Sequence, residues 1–241
     1  MDAFITLEEV DYSRDKAMLF RRLLGYVTRS SSKQQGPWPP ITLHEAILRT
    51  AIVVDNHIVM WATVDALHHA LAIFFVTTGI DLPEEWPPLF GNIIEAYSIR
   101  RWWSRFWHSL VHRMLSGYAS FVLCEVLLIR EKTTFSHLSH NFLVFLISGA
   151  YHGIVYRYST PQCHDTVAIN YYLMQPLGLL IETVVQTAWQ KWRRKLAFRE
   201  TLAELISTRL LGYIWVFTWF FWLVPEFAFA HYRCEDPILI D

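Results

Sequence analysis

Apolar residues in this chain come in blocks. From about Leu43 to Ile80, and again over about 112–129, 140–158, 167–189 and 206–230, they run long enough, or nearly so, to cross a bilayer. Polar linkers at Arg130–Ser139, Ser159–Thr166 and Gln190–Leu205 separate the later blocks. The pattern predicts an all-α fold, a polytopic transmembrane helical bundle with about five spans. Pro37-Trp-Pro-Pro40 stops any helix ahead of the first block. Thr42 then stands at an N-cap position with Glu45 three residues on, the spacing of a capping box. The first block also holds Asp55, Asn56, His57, Asp65, His68 and His69, too many polar groups for a lipid-facing helix. It reads either as two helical pieces or as one helix lining a polar interior, with Asp65 and His69 four apart and able to pair. Asp81–Pro88 is a proline-rich loop.

Residues 1–35 form a polar tail ending in a Ser-, Gln- and Gly-containing stretch, with Met18–Val27 as one short amphipathic helix whose Arg21 and Arg22 face water. Residues 36–241 make up the membrane-embedded domain. Met1 to Glu9 has no basic stretch followed by an apolar core, so a cleaved signal peptide is not expected and the first span serves as the insertion signal.

Composition agrees with the blocks: 53% of residues are hydrophobic, 16% aromatic and only 18% charged, with a mean hydropathy of +0.23. A soluble domain carries more charge than this. The net charge of −1 creates no global field for nucleic acid. Basic residues cluster at Arg100–Arg105 and Lys191–Arg199. With five alternating spans these clusters fall on opposite sides, in conflict with the positive-inside rule, so one segment is re-entrant or surface-lying, or one span is absent. Cys124, Cys163 and Cys234 form no CxxC pair and no even-numbered framework, which argues against a disulfide scaffold or a zinc site.

Candidate chemistry centres on His152, in the middle of the apolar run Asn141–Tyr156. A full charge at the centre of a span costs about 2.5 kcal/mol or more. A neutral imidazole costs less, and it is the form a general base needs before it takes a proton. Asn141, Ser148, His152 and Tyr156 fall on one helical stripe, which must face protein or a water-filled cavity. The alternative for His152 is a plain helix–helix hydrogen bond, and for the flanking Gly149 and Gly153 it is close helix packing.

A second segment, Ser98 to His108, combines Trp102, Trp103, Phe106 and Trp107 with Arg100, Arg101 and Arg105. It reads as an interfacial amphipathic helix. Aromatic rings at the interface with arginines alongside suit a phosphate-bearing, partly apolar molecule such as acyl-coenzyme A. The alternative is an anchoring helix with snorkelling arginines. Eleven histidines also raise a di-iron oxygenase. His108-Ser-Leu-Val-His112 matches HxxxH, but His137-Leu-Ser-His140 is followed by Asn141 where a full histidine box has a second histidine.

Taken in order, Trp102-Trp-Ser-Arg-Phe-Trp-His108 and, about 40 residues later, Ser148-Gly-Ala-Tyr-His152 resemble the wax synthase-like branch of the membrane-bound O-acyltransferases. That branch has Phe-Trp-Gly-Arg-Arg-Trp-His in the first motif. Here Ser104 replaces the glycine and Phe106 an arginine. The resemblance covers roughly residues 36–158 well and the remainder by hydrophobic layout, while relatives have additional N-terminal spans. It implies acyl transfer inside the membrane, from acyl-CoA (acetyl-CoA for a short donor) to the hydroxyl of a lipophilic alcohol such as a terpenoid, without a bound cofactor or metal. It implies His152 as the base that deprotonates the alcohol and His108 as the group that orients the donor or stabilises the oxyanion. Trp103, Arg105, Trp107, Asn141, Ser148 and Tyr156 are then the candidate substrate-binding residues. The implied location is a multi-pass position in the endoplasmic reticulum membrane. The rival from another class is a non-catalytic membrane scaffold, with the di-iron oxygenase third.

Overall fold

The computed structural model describes residues 42–107, 109–129, 133–160, 167–196 and 201–235. The polar tail with its expected helix over Met18–Val27 lies outside the described residues, as do His108 and Cys163. The described chain is helical, as expected. Helix α1 runs Leu43–Thr77 as one continuous piece. Thr42 caps it by accepting the Glu45 N–H at 3.1 Å. The Glu45 carboxylate reaches down the helix and accepts from Arg49 Nε, 3.0 Å away. Arg49 is fully buried, and its guanidinium also lies over the Phe229 ring at 5.4 Å. Asp65 and His69 do meet, with His69 Nδ1 3.5 Å from the carboxylate.

After a loop with two 3₁₀ turns, α2 (Ile99–Arg101) passes straight into a π-helical turn, Trp102–Phe106. Helix α3 (Ser109–Phe121) ends in a second π turn, Val122–Val126. Helix α4 is Thr134–Ser159, α5 is Val167–Leu196 and α6 is Leu202–Glu235. Neighbours pack in the spatial order α3, α4, α5, α6, α1, and the α2 segment is wedged against α5. In place of the expected interfacial helix over 98–108, the described residues 98–107 form a short wedge, one helical turn followed by a wider π turn. Its Ile99, Trp102 and Phe106 are buried in the core while Arg100 and Arg105 stay exposed.

Three described helices, α1, α4 and α6, are long and apolar enough to cross a membrane. Exposed apolar side chains such as Ile58, Leu67, Ile73 and Phe74 on α1 suit a lipid surface. Helix α5 has the length, 30 residues, but Asn170, Gln175 and Glu182 interrupt its apolar sequence. Helix α3 is only 13 residues, about 20 Å, and even with its π turn it falls short of the ~30 Å hydrocarbon core. If α3 does not cross and α5 does, the two basic clusters fall on the same side, which removes the conflict that five spans created.

The wedge approaches its neighbours so closely that it needs glycine. A Cβ on Gly91 would collide with the backbone carbonyl of Arg105, because the Gly91 N–H donates to Phe106 O at 2.9 Å. By contrast, a Cβ on Gly117 meets nothing within 4 Å. Gly91→Ala should therefore destabilise the protein by about 1–3 kcal/mol through overpacking, whereas Gly117→Ala should be neutral or slightly stabilising. Thermal denaturation of the detergent-solubilised pair measures the difference.

Candidate active site

Helix α5 positions the wedge through two buried acceptors seven residues apart, on one face. Glu182 meets the N-terminus of α2. Its Oε1 accepts the Ile99 N–H and, at 2.9 Å, the Trp215 indole N–H, while Oε2 accepts the Arg100 N–H at 3.1 Å. Ser98 Oγ accepts the Arg101 N–H at 3.1 Å, so the first three N–H groups of this helical turn all have partners. Gln175 is completely buried, and its Oε1 accepts two indole N–H groups, from Trp103 and Trp219, each at 3.1 Å. The Gln175 amide nitrogen donates to Tyr171 O at 3.2 Å, which fixes which end of the amide faces the indoles.

The π turn then sets the rings. The Trp107 N–H closes onto Trp102 O at 2.8 Å, an i→i+5 bond. Rings five residues apart sit on different faces of an α-helix, but the wider π turn brings Trp102 and Trp107 together, centroids 5.8 Å apart and nearly parallel at 16°. Trp103 points the other way, toward α4 and α5, edge-on to Phe145 at 5.6 Å.

Between this wedge and helices α3, α4 and α5 lies a cavity of about 40 Å³, room for roughly three water-sized spheres. Trp103 and Trp107, His112 from α3, Ser148 and His152 from α4, and Tyr172 from α5 all line it. His152 Nδ1 lies 2.8 Å from the carbonyl oxygen of Ser148. A carbonyl only accepts, so Nδ1 carries the proton, and in the neutral ring Nε2 holds the lone pair. The ring stacks on Tyr172, centroids 4.3 Å apart and 28° from parallel. Gly149 permits that approach: a Cβ there would sit 3.1 Å from Tyr172 Cβ. Pro176 has no N–H to bond the carbonyl of Tyr172, which loosens α5 at this level.

Of the residues singled out from sequence, His152, Ser148, Trp103 and Trp107 come together at this cavity. Arg105 does not, being exposed on the outer side of the π turn. Asn141 is half-buried nearly two turns before Ser148, outside the lining. Tyr156 lies one turn past His152, edge-on to Phe227 at 5.2 Å. Sequence reasoning missed Tyr172 and gave His112 only as half of an HxxxH pair. No spacing rule points to Tyr172, because it reaches the site from another helix. Among the described residues no three His, Cys, Asp or Glu side chains gather as a metal-binding group.

Comparison with known proteins falls on this region. Residues 86–174 match the model of the membrane bound O-acyl transferase family, a stretch that contains the wedge, α3, α4 and Tyr172. The chain is similar to acetyltransferase aurG of Calcarisporium arbuscula, 31% identical over 205 residues that make up 83% of this chain and 48% of that protein. It is also similar to acetyltransferase ataH of Aspergillus terreus, 29% identical over 174 residues (72% and 55% of the two chains). Acetyltransferase nanB of Aspergillus nanangensis is 28% identical over 226 residues (91% and 53%). The stretch that carries both motifs belongs to the membrane bound O-acyl transferase family. With three apolar helices of spanning length, the chain is an integral membrane protein. It spans about half the length of the curated relatives it matches. No solved structure matches it.

Replacing Gln175 by Leu leaves the Trp103 and Trp219 indole N–H groups without their acceptor. Each orphaned donor costs about 1–3 kcal/mol, so Gln175→Leu should lower the thermal midpoint clearly. Gln175→Glu, which keeps the accepting oxygen, should lower it less. Thermal unfolding in detergent, followed by intrinsic fluorescence, compares the two.

Proposed function

We propose that this chain carries the reaction site of an acyl-CoA:alcohol O-acyltransferase, which transfers an acetyl group to the hydroxyl of a lipophilic acceptor such as a terpenoid. The observation that carries the reading is His152, tautomer-fixed by Ser148 O with its Nε2 lone pair free to accept, on an aromatic-lined cavity inside the family-matched stretch. Nε2 takes the alcohol proton as the alcohol oxygen attacks the thioester carbonyl carbon. The C–S bond of the tetrahedral adduct then breaks, and the departing coenzyme A thiolate takes that proton back from Nε2. No acyl-enzyme and no bound cofactor enters this scheme.

The surroundings support each step. The Tyr172 ring face beneath His152 favours the imidazolium that forms during attack. The Trp103 and Trp107 rings give the cavity apolar walls, which disfavour water as a competitor of the alcohol. A cavity of about 40 Å³ suits a two-carbon acyl group better than a long chain. The three relatives named above are acetyltransferases, which favours the same donor. The oxyanion is assigned to His108, outside the described residues, with His112 as the second imidazole on the cavity wall. Arg105, exposed on the outer side of the π turn, is left to bind the phosphates of the donor. The enzyme is assigned to the endoplasmic reticulum membrane.

The test is ester formation from labelled acetyl-CoA and a pool of hydrophobic alcohols by microsomes that contain the chain. His152→Ala should lower the rate by about 10²–10⁴-fold, the usual contribution of a general base. Tyr172→Leu should lower it by about two- to thirtyfold through loss of the ring face, and Tyr172→Phe should stay near wild type. Equal ester from wild type and His152→Ala, or none from either, removes the reading.

A further inference from the structure

Helices α5 and α6 run antiparallel, and three pairs fix their register: Gln175 meets Trp219, Glu182 meets Trp215, and Arg193 pairs with Glu204 at 3.0 Å. That register puts Arg209 of α6 level with Trp189 of α5. Trp189 and Trp192 are both exposed, as are Lys191 and Arg194 beside them, the mixture that marks a membrane–water interface. The loop ahead of α2 closes onto α6 at the same level. A Cβ on Gly212 would collide with the backbone carbonyl of Tyr97, so the glycine is what lets the loop approach. Two guanidinium groups then lie over the Tyr97 ring, Arg101 at 4.4 Å and Arg209 at 5.2 Å from its centroid. Arg101 is paired with the Glu95 carboxylate. Arg209 has no carboxylate partner among the described residues, and its Nε is enclosed without a hydrogen bond. The side chain is otherwise partly exposed, so the two terminal nitrogens of its fork are what it offers. One turn further along α6, Tyr213 begins the wall of a second cavity, about 280 Å³, between α1 and α6. Trp102, Ile93, Ala96, Val216 and Phe217 continue that wall, which is apolar.

We propose that this corner is a binding site for an anionic phospholipid, its headgroup phosphate on Arg209 beside Tyr97 and one acyl chain in the cavity between α1 and α6. Charge selects the headgroup. Two guanidinium groups share the single carboxylate of Glu95, which leaves a net positive charge, and a guanidinium fork matches two oxygens of a phosphate. Depth selects a lipid. Arg209 stands at the level of the interfacial tryptophans, where phosphates of the leaflet lie, and the apolar cavity starts one helical turn deeper. A free phosphate would leave the cavity unused, and a hydrocarbon would leave the guanidinium unpaired. Entry is direct, because Ile58 and Phe217, both exposed, stand at the rim on α1 and α6, so the cavity opens sideways toward lipid. The site is also separate from the reaction site. Trp102 lines this cavity and Trp107 the His152 cavity, and their stacked rings stand between the two. A thioester held here could not reach His152.

Binding here needs no turnover, so it is tested apart from acyl transfer. The full chain is reconstituted in phosphatidylcholine vesicles with a trace of dioleoyl phosphatidic acid that carries a diazirine in one acyl chain. The comparison probe is the diacylglycerol with the same chains and no phosphate. Peptide mapping after irradiation should place the phosphatidic acid on Ile93–Ala96 and Tyr213–Phe217, above the background at lipid-facing Leu67–Phe74, and the diacylglycerol at background only. Excess unlabelled phosphatidic acid should displace the probe, and excess coenzyme A should not. Arg209→Gln should reduce the labelling about tenfold, the contribution of one charge-assisted hydrogen bond at a partly exposed site. Arg194→Gln, which removes an equal charge from the exposed end of α5, should leave it unchanged. Equal labelling by the two wild-type probes, equal labelling of wild type and Arg209→Gln, or an equal loss in Arg194→Gln overturns the proposal. Displacement by coenzyme A also overturns it and makes this a donor site. If Arg209→Gln is misfolded by thermal unfolding, Val216→Trp, which fills the cavity, replaces it with the same expected loss, and the two wild-type probes need no variant.

Discussion

The pair of buried acceptors on α5, Glu182 and Gln175, holds the rest of the described structure in register. Between them they bind two backbone N–H groups at the start of the wedge and three indoles, one from the wedge and two from α6. In a water-poor interior a broken polar pair finds no substitute. Sliding α5 along α6 by a single turn would leave several of these groups unsatisfied. That is a stronger directional restraint than apolar packing, which is nearly indifferent to small shifts. The wedge in turn sets Trp103 and Trp107, and through them two walls of the His152 cavity.

Two histidines in apolar helices are prepared in the same way. His57 and His152 each donate Nδ1–H to the carbonyl four residues earlier, which fixes the tautomer and leaves Nε2 as an acceptor. Their settings then separate them. His152 lies over a tyrosine face, which favours a ring that takes up charge. His57 meets Trp102, Trp107 and Phe220 edge to face in an apolar cavity. One wedge of stacked indoles divides the two environments.

The π turn is what allows so short a wedge to serve two cavities. Its wider helical turn puts Trp102 and Trp107 together while Trp103 faces α4 and α5. A regular α-helix over the same residues, the form expected from the aromatic and basic pattern, would place the rings on other faces and leave the arginines to set its orientation. Here burial of Ile99, Trp102 and Phe106 does so, and Arg100 and Arg105 are left at the outer surface.

The linear sequence determined the helical class, the apolar segments, the N-cap at Thr42, the pairing of Asp65 with His69, and the stripe that brings Ser148 and His152 to one face. All of these rest on short-range spacing along a helix, which residue order alone sets. The two motifs that match the membrane bound O-acyl transferase family were legible for the same reason. Only the tertiary structure decided which polar residues meet across helices. Tyr172 under His152, Gln175 between two indoles and Glu182 on the wedge depend on how α5 is rotated and how far it is shifted. Neither quantity is written in local periodicity. Tertiary packing also left Asn141 and Tyr156 off the cavity, although they share the stripe with His152: only about two turns of α4 face the space that α3, α5 and the wedge enclose.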